Sequence, residues 1–185
     1  MPPMTHDHLR EERIDGKTIF DGRIVRLEVD RVRLADGGES VREVVRHGGA
    51  VLLVPITDEG NVVLVRQHRY PTGAVLLEVP AGTLERGEDP QVCAHRELDE
   101  ETGYRAGELI PLGEFFSAPG FCDELLYCYA ARGLRPGEGL AGDDDEQLEV
   151  VELSAEAALA AIDSGEIRDC KTTASLLLAH RRGYL

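Results

Sequence analysis

The densest chemistry in this chain lies in Arg96-Glu97-Leu98-Asp99-Glu100-Glu101. On a helix, Glu97 and Glu101 stand four residues apart with Glu100 between them on the same side, so three carboxylates share one stripe. Like charges this close repel and need a counter-ion. A hard cation such as Mg2+ or Mn2+ takes oxygen ligands and keeps open positions for phosphate and water. Arg96, one turn before Glu100, can orient it through an ion pair. An exposed acidic face paired to Arg96 would give the same pattern, so the segment before the helix decides between the two. Pro80-Ala81-Gly82 ends an apolar strand, where the Ala81 carbonyl, freed from the ladder, can complete a metal site facing the glutamates. Gly82 lets the backbone turn sharply there. Glu88, just before the helix, can hold the loop by binding backbone amides.

These residues need elements to carry them. Asp89 is a good N-cap, Pro90 suits the first helical position and Gly103 suits the position past the end, which predicts a helix over Pro90–Thr102. Alternating apolar residues in 23–34 and 40–47, separated by Ala35-Asp36-Gly37-Gly38, predict a hairpin with an Asp-Gly turn. Apolar runs at 51–56 and 61–65 flank Asp58-Glu59-Gly60 and predict a second, more buried hairpin. Short strands are expected at 75–80, 109–116, 125–131 and 148–153. Ser154 then caps an Ala-rich helix to about Ser164, and 171–182 reads as a final helix. Residues 132–147, rich in Gly and acids, read as a loop. Strands interleaved with a few helices and no repeats indicate a mixed α/β sandwich rather than a doubly wound parallel sheet.

At 185 residues the chain can build one sizeable domain. The expected organisation is a flexible tail over 1–13, an N-terminal β region over 14–48 and a main domain over 49–185. The net charge of -15 repels a polyphosphate backbone and argues against a nucleic-acid partner. Clustered carboxylates that bind cations can instead reverse the local field and welcome an anionic substrate. No apolar run reaches bilayer length and no secretory signal pattern is present, so no membrane partner is expected. Cys93, Cys122, Cys128 and Cys170 show neither a CxxC pair nor zinc-type spacing, and they read as reduced thiols of a cytoplasmic protein.

Gly82, five residues, Glu88, seven residues, Arg96-Glu97-Leu98, one residue, Glu100-Glu101, one residue and Gly103-Tyr104 together resemble a complete Nudix box. Within that family the chain is similar to the ADP-ribose pyrophosphatases. Pro119, in Ser117-Ala118-Pro119-Gly120, stands sixteen positions after Gly103, a spacing that marks this subgroup. Val65-Arg66-Gln67-His68-Arg69-Tyr70 resembles its arginine-bearing strand end, and IRDCKTTASLLL at 167–178 its C-terminal helix. The resemblance implies an α/β/α sandwich with a mixed central sheet, preceded by an N-terminal antiparallel β-hairpin region. It implies metal ligation by Glu97, Glu101 and the Ala81 carbonyl, with Glu100 as ligand or supporting base, and Gly82, Glu88, Arg96 and Gly103 in structural roles. A further acid would come from Asp143-Asp144-Asp145-Glu146, with Glu146 favoured, then Asp144. Two or three Mg2+ or Mn2+ ions are implied, as is a homodimer in which the N-terminal hairpin takes part.

The reaction implied is ADP-ribose plus water giving AMP plus ribose 5-phosphate. A diphosphate needs cationic donors, and Arg69 and Arg66 at a strand end can grip it bidentately. Arg42, Glu43 and Arg46 are candidates for the ribose or adenine, and Glu78 for a sugar hydroxyl. The chain has no Trp, so base stacking would fall to Phe115, Phe116, Phe121 or Tyr70. Competing readings are a Nudix hydrolase of a nucleotide sugar, a dinucleotide or coenzyme A, and a non-catalytic nucleotide-sensing module. The retained Glu97, Glu100 and Glu101 argue against the last.

Overall fold

A computed structural model describes residues 6–137 and 147–185. In chain order the strands and helices are β1 (Glu12–Asp21), β2 (Val25–Arg33), β3 (Glu39–His47), β4 (Ala50–Pro55), β5 (Asn61–Arg69), β6 (Ala74–Glu78), β7 (Ala81–Thr83), α1 (Pro90–Thr102), β8 (Tyr104–Arg105), β9 (Glu108–Phe116), β10 (Leu125–Arg132), β11 (Arg135–Pro136), β12 (Leu148–Ser154), α2 (Ala155–Asp163) and α3 (Cys170–Arg181). They form two compact units. One holds the chain up to Gly48 together with Phe116–Glu124, and the other holds Gly49–Phe115 and Leu125–Leu185.

The first unit is an antiparallel sheet in the order β1-β2-β3. Its β2-β3 hairpin turns where Asp36 and Gly37 predict it, with Gly37 in the left-handed region that favours glycine. Asp30, at mid-strand in β2, is buried and pairs with Arg13 at 2.9 Å and Arg46 at 3.3 Å. Arg46 also reaches Glu28 at 2.9 Å and Asp123 at 3.1 Å, and Asp123 accepts the His47 N–H at 2.9 Å. These bonds tie the 116–124 segment to β3.

The second unit is a mixed α/β sandwich. All six residues of β4 are buried, as a strand covered on both faces should be. Leu52 and Val54 face one core with Leu126, Cys128, Val62, Leu64 and residues of α2 and α3, whereas Val51 and Leu53 face another with Cys93, Ala94 and Leu98 of α1. β4 pairs in parallel with β10 and antiparallel with β7, within the order β7-β4-β10-β9. β12, β5 and β6 form a separate antiparallel sheet. The expected hairpin of 51–56 with 61–65 is therefore corrected. A turn does form at Thr57–Gly60, but only Ile56 and Val62 bridge across it before β4 and β5 part into different sheets. Their longer-range partners outweigh the local turn.

α1 runs over the range that its signals predict. Asp89 accepts the Gln91 N–H at 2.8 Å, Pro90 begins the helix and Gly103 ends it with a φ of 71°. Ser154 caps α2 and Asp169 caps α3. Burial pushes the Cys93 thiol up to about 12 and Cys128 up to about 11, so both are inert core thiols at neutral pH. Among the described residues no helix is long and apolar enough to cross a membrane.

Because Asp89 sets the start of the carboxylate helix, Asp89→Ala should lower stability by about 1 kcal/mol in urea denaturation. Asp89→Asn should restore most of it, and equal losses in both variants would show that the side-chain cap is not the cause.

Candidate metal and substrate site

The site begins with the register of β7 on β4. Val51 pairs with Gly82 and Leu52 with Ala81, and the Leu53 N–H bonds the Pro80 carbonyl at 2.9 Å, so the buried central strand fixes the Pro80-Ala81-Gly82 backbone. α1 packs its buried residues Cys93, Ala94 and Leu98 against the α1-facing side of β4. That brings Glu97 onto Gly82, where a Cβ would overlap the Glu97 carboxylate. The role of Gly82 thus differs from the sharp turn expected. It lies within β7 outside the left-handed region, and what it supplies is room for a carboxylate against backbone.

Glu101 is buried and its Oε2 accepts the Ala81 N–H at 2.9 Å. Arg96 gathers the other acids. Its Nη1 lies 2.6 Å from Glu97 and 3.1 Å from Glu100, and its Nε and Nη2 hold Glu88 at 3.2 and 3.1 Å. Glu88 also accepts the Glu85 N–H at 2.9 Å, closing the loop before the helix. The hydrogen bond from Arg96 holds the Glu88 carboxyl below its usual range, and the same acids raise Arg96 further above its own. Among the described residues no three acidic, His or Cys side chains already form a ready metal cage; Arg96 is the counter-charge around which Glu88, Glu97 and Glu100 gather here. The donor set still suits a hard divalent ion. Glu97, Glu100 and Glu101 supply only oxygen ligands, and the Gly82 cradle keeps the Glu97 side beside the Ala81 backbone.

A second charged cluster adjoins this backbone. Glu78, buried at the end of β6, receives Arg69 Nε at 3.0 Å and Nη2 at 2.8 Å, and Lys171 Nζ on its other side. Lys171 also meets Asp169 at 2.8 Å. Burial alone would push the Glu78 carboxyl up, but Arg69 and Lys171 outweigh it and hold it below the usual range, and Asp169 is held down in the same way by Lys171 and Thr172. The Thr172 hydroxyl donates to Asp169 at 2.6 Å and accepts the Val79 N–H at 3.0 Å. Reading the sequence did not single out Asp169, Lys171 or Thr172. Asp169 as a helix cap before a basic residue was the available signal.

Arg66 alternates to the opposite face of β5 from Arg69 and pairs with Glu149 at 3.2 Å and Glu166 at 3.3 Å. Arg42 binds Glu11 and Ser40, Arg46 holds the acids of β2, and Glu43 and Pro119 are exposed; all four belong to the first unit. Phe115 packs on the main core, whereas Phe116, Phe121 and Tyr70 are exposed. Asp143, Asp144, Asp145 and Glu146 lie outside the described residues.

A NUDIX domain model matches residues 46–174. The chain belongs to the Nudix family. Residues 11–45 match a model described as a nucleoside diphosphate sugar hydrolase N-terminal domain. A methanol dehydrogenase activator of Bacillus methanolicus is 47% identical over 163 residues, 88% of either chain. An ADP-ribose pyrophosphatase of Bacillus subtilis is 42% identical over 165 residues, 89% of either chain. The crystal structure of an ADP compounds hydrolase matches with a TM-score of 0.82 at 24% identity, covering 96% of this chain and 98% of that one, a likeness of fold. Nudix hydrolases generally use divalent metal ions, in keeping with the oxygen donors found on α1 and β7 of this Nudix chain.

Two outcomes test the geometry. Gly82→Ala should displace Glu97 and weaken Mn2+ binding, read by electron paramagnetic resonance, on the order of tenfold or more while the circular dichroism spectrum stays native; unchanged binding would remove Glu97 from the ligand set. A carboxylate whose pKa is lowered by folding stabilises above its unfolded pKa of about 4.3 and loses that contribution as pH falls through the folded value. Glu78→Gln should therefore cost about 3 kcal/mol at pH 7, and the gap from the native chain should narrow below about pH 4. A gap constant with pH would show that Glu78 acts through shape alone.

Proposed function

We propose that this Nudix pyrophosphohydrolase cleaves the diphosphate of ADP-ribose, with water, into AMP and ribose 5-phosphate. The observation that carries the reading is the Glu97 carboxylate seated on Gly82 beside the Ala81 backbone, with Glu101 against the same peptide and Glu100 one turn from Arg96. The similarity to the Bacillus subtilis ADP-ribose pyrophosphatase over most of both chains supports the substrate.

Glu97, Glu101 and the Ala81 carbonyl would hold Mg2+ or Mn2+, two or three ions in all, with Glu100 as a further ligand or supporting base. When bound, such ions neutralise diphosphate oxygens and lower the pKa of a bound water. Arg96 keeps Glu97 and Glu100 oriented on one side of α1. Arg69, braced by Glu78 and Lys171, offers a guanidinium toward the diphosphate. Proton acceptance falls to Glu100 or to an acid of Asp143-Asp144-Asp145-Glu146, ahead of the last strand in sequence, with Glu146 favoured over Asp144. Arg42, Glu43 and Arg46 remain candidates for the sugar or base. The protein is proposed to be cytoplasmic and a homodimer joined through the N-terminal β region, where the Ile19, Phe20, Ile24 and Val41 side chains are exposed. A nucleotide sugar is the second substrate reading, supported by the family description matched over residues 11–45.

The test is AMP release from ADP-ribose with and without Mg2+ or Mn2+, set beside GDP-mannose, NADH and coenzyme A. Metal-dependent release that favours ADP-ribose and falls on the order of a hundredfold in Glu101→Gln is the expected result. A preference for GDP-mannose would move the assignment to nucleotide sugars, and no hydrolysis of any substrate would leave a nucleotide-sensing module.

A further inference from the structure

We propose that Gln67 is a substrate-recognition residue whose side-chain carbonyl accepts a hydrogen bond from a hydroxyl of a sugar flanking the diphosphate. The proposal rests on the reading of this site as one for a nucleoside diphosphate derivative. Gln67 is 7% exposed, and its Oε1 is fully buried with no hydrogen-bond partner. The other buried acceptor among the described residues without a hydrogen bond, Asp30 Oδ1, lies 2.9 Å from Arg13 Nε and is thus charge-compensated. Gln67 Oε1 has no hydrogen bond among the described residues. Its cross-strand partners are Leu76 on β6 and Leu148 on β12, neither of which has a side-chain donor, and both are only partly buried.

Strand alternation places Gln67 on the same face of β5 as Arg69 and opposite to Val62 and Leu64, which point into the core shared with α2 and α3. Glu78 pairs in register with Val65 and joins that same face, where it holds Arg69. Gln67 therefore stands one side-chain position along β5, roughly 7 Å between backbone positions, from Arg69, whose guanidinium is assigned to the diphosphate. A diphosphate offers only acceptors at neutral pH, so it cannot satisfy Gln67 Oε1. The sugar joined directly to it carries hydroxyl donors at that range. A buried acceptor without a partner is uncommon in native proteins and marks a place where a ligand or water completes the bonding.

A buried carbonyl oxygen without a partner weakens the folded state, and its replacement by an apolar group of similar size should relieve that cost. Gln67→Leu and Gln67→Met should thus melt at or above the native temperature. They should bind the non-hydrolysable α,β-methylene analogue of ADP-ribose, in the presence of Mg2+, about tenfold more weakly by calorimetry. A lower melting temperature or failure to fold in both variants would make Gln67 a structural residue and overturn the proposal, as would native affinity in both. Absence of analogue binding by the native chain would overturn this proposal together with the ADP-ribose assignment, whereas tight native binding with unaltered variants would overturn this proposal alone.

Discussion

The site depends on one close approach, the carboxylate of Glu97 resting on the backbone at Gly82. Carboxylates on a surface helix normally reach into water, where a metal ion would meet them one at a time. Here α1 is drawn onto β4 by Cys93, Ala94 and Leu98, and the register of β7 on β4 delivers a peptide with no side chain to the place where Glu97 must lie. Apolar burial supplies the force, and the missing Cβ supplies the clearance. Neither would suffice without the other, because a helix packed this closely against any L-residue at position 82 would expel the carboxylate.

Charge organisation follows from the same crowding. In a chain of net charge -15 the 20 Lys and Arg are outnumbered by 35 Asp and Glu, and those at the site are shared closely with the acids around them. Arg96 binds Glu88, Glu97 and Glu100, tying the loop before α1 to the middle of the helix. Arg69 and Lys171 enclose Glu78, whose burial would otherwise favour the neutral acid. Desolvation and ion pairing oppose one another at Glu78, and two cations on one carboxylate decide the sign. The result is a fixed guanidinium at the end of β5 beside a peptide already fixed by α1.

Much of this was legible in the sequence where the controlling physics is local. Asp89, Pro90 and Gly103 fix the limits of α1 because caps and left-handed termini act within a few residues. The spacing of Gly82, Glu88, Arg96 and the glutamates carries the family because it encodes one loop and one helix. What escaped was set by distant partners. Asp58-Glu59-Gly60 does make its turn, yet β4 and β5 separate because β7 and β10 claim one strand while β6 and β12 claim the other. Glu78 read as a free acid able to meet a sugar, and only folding reveals that Lys171, far along the chain, closes on it. Gly82 read as a residue for a sharp turn, whereas it lies within β7 and its neighbour in space is a side chain from another element.

The segment from Glu78 to Ala81 is held from two directions. Thr172 on α3 accepts the Val79 N–H, and Glu101 on α1 accepts the Ala81 N–H, with the Pro80 carbonyl bonded to β4 between them. Proline has no N–H to satisfy, so every backbone donor in Val79-Pro80-Ala81 is engaged by one helix or the other. The peptide orientation at Ala81 is then set by two helices whose starts are each fixed by an aspartate cap, Asp89 and Asp169. Such double anchoring makes the Ala81 carbonyl a rigid donor rather than a loop group that must be ordered on binding. For a site that assembles oxygen ligands around a small cation, that preorganisation lowers the entropy lost when the ion binds.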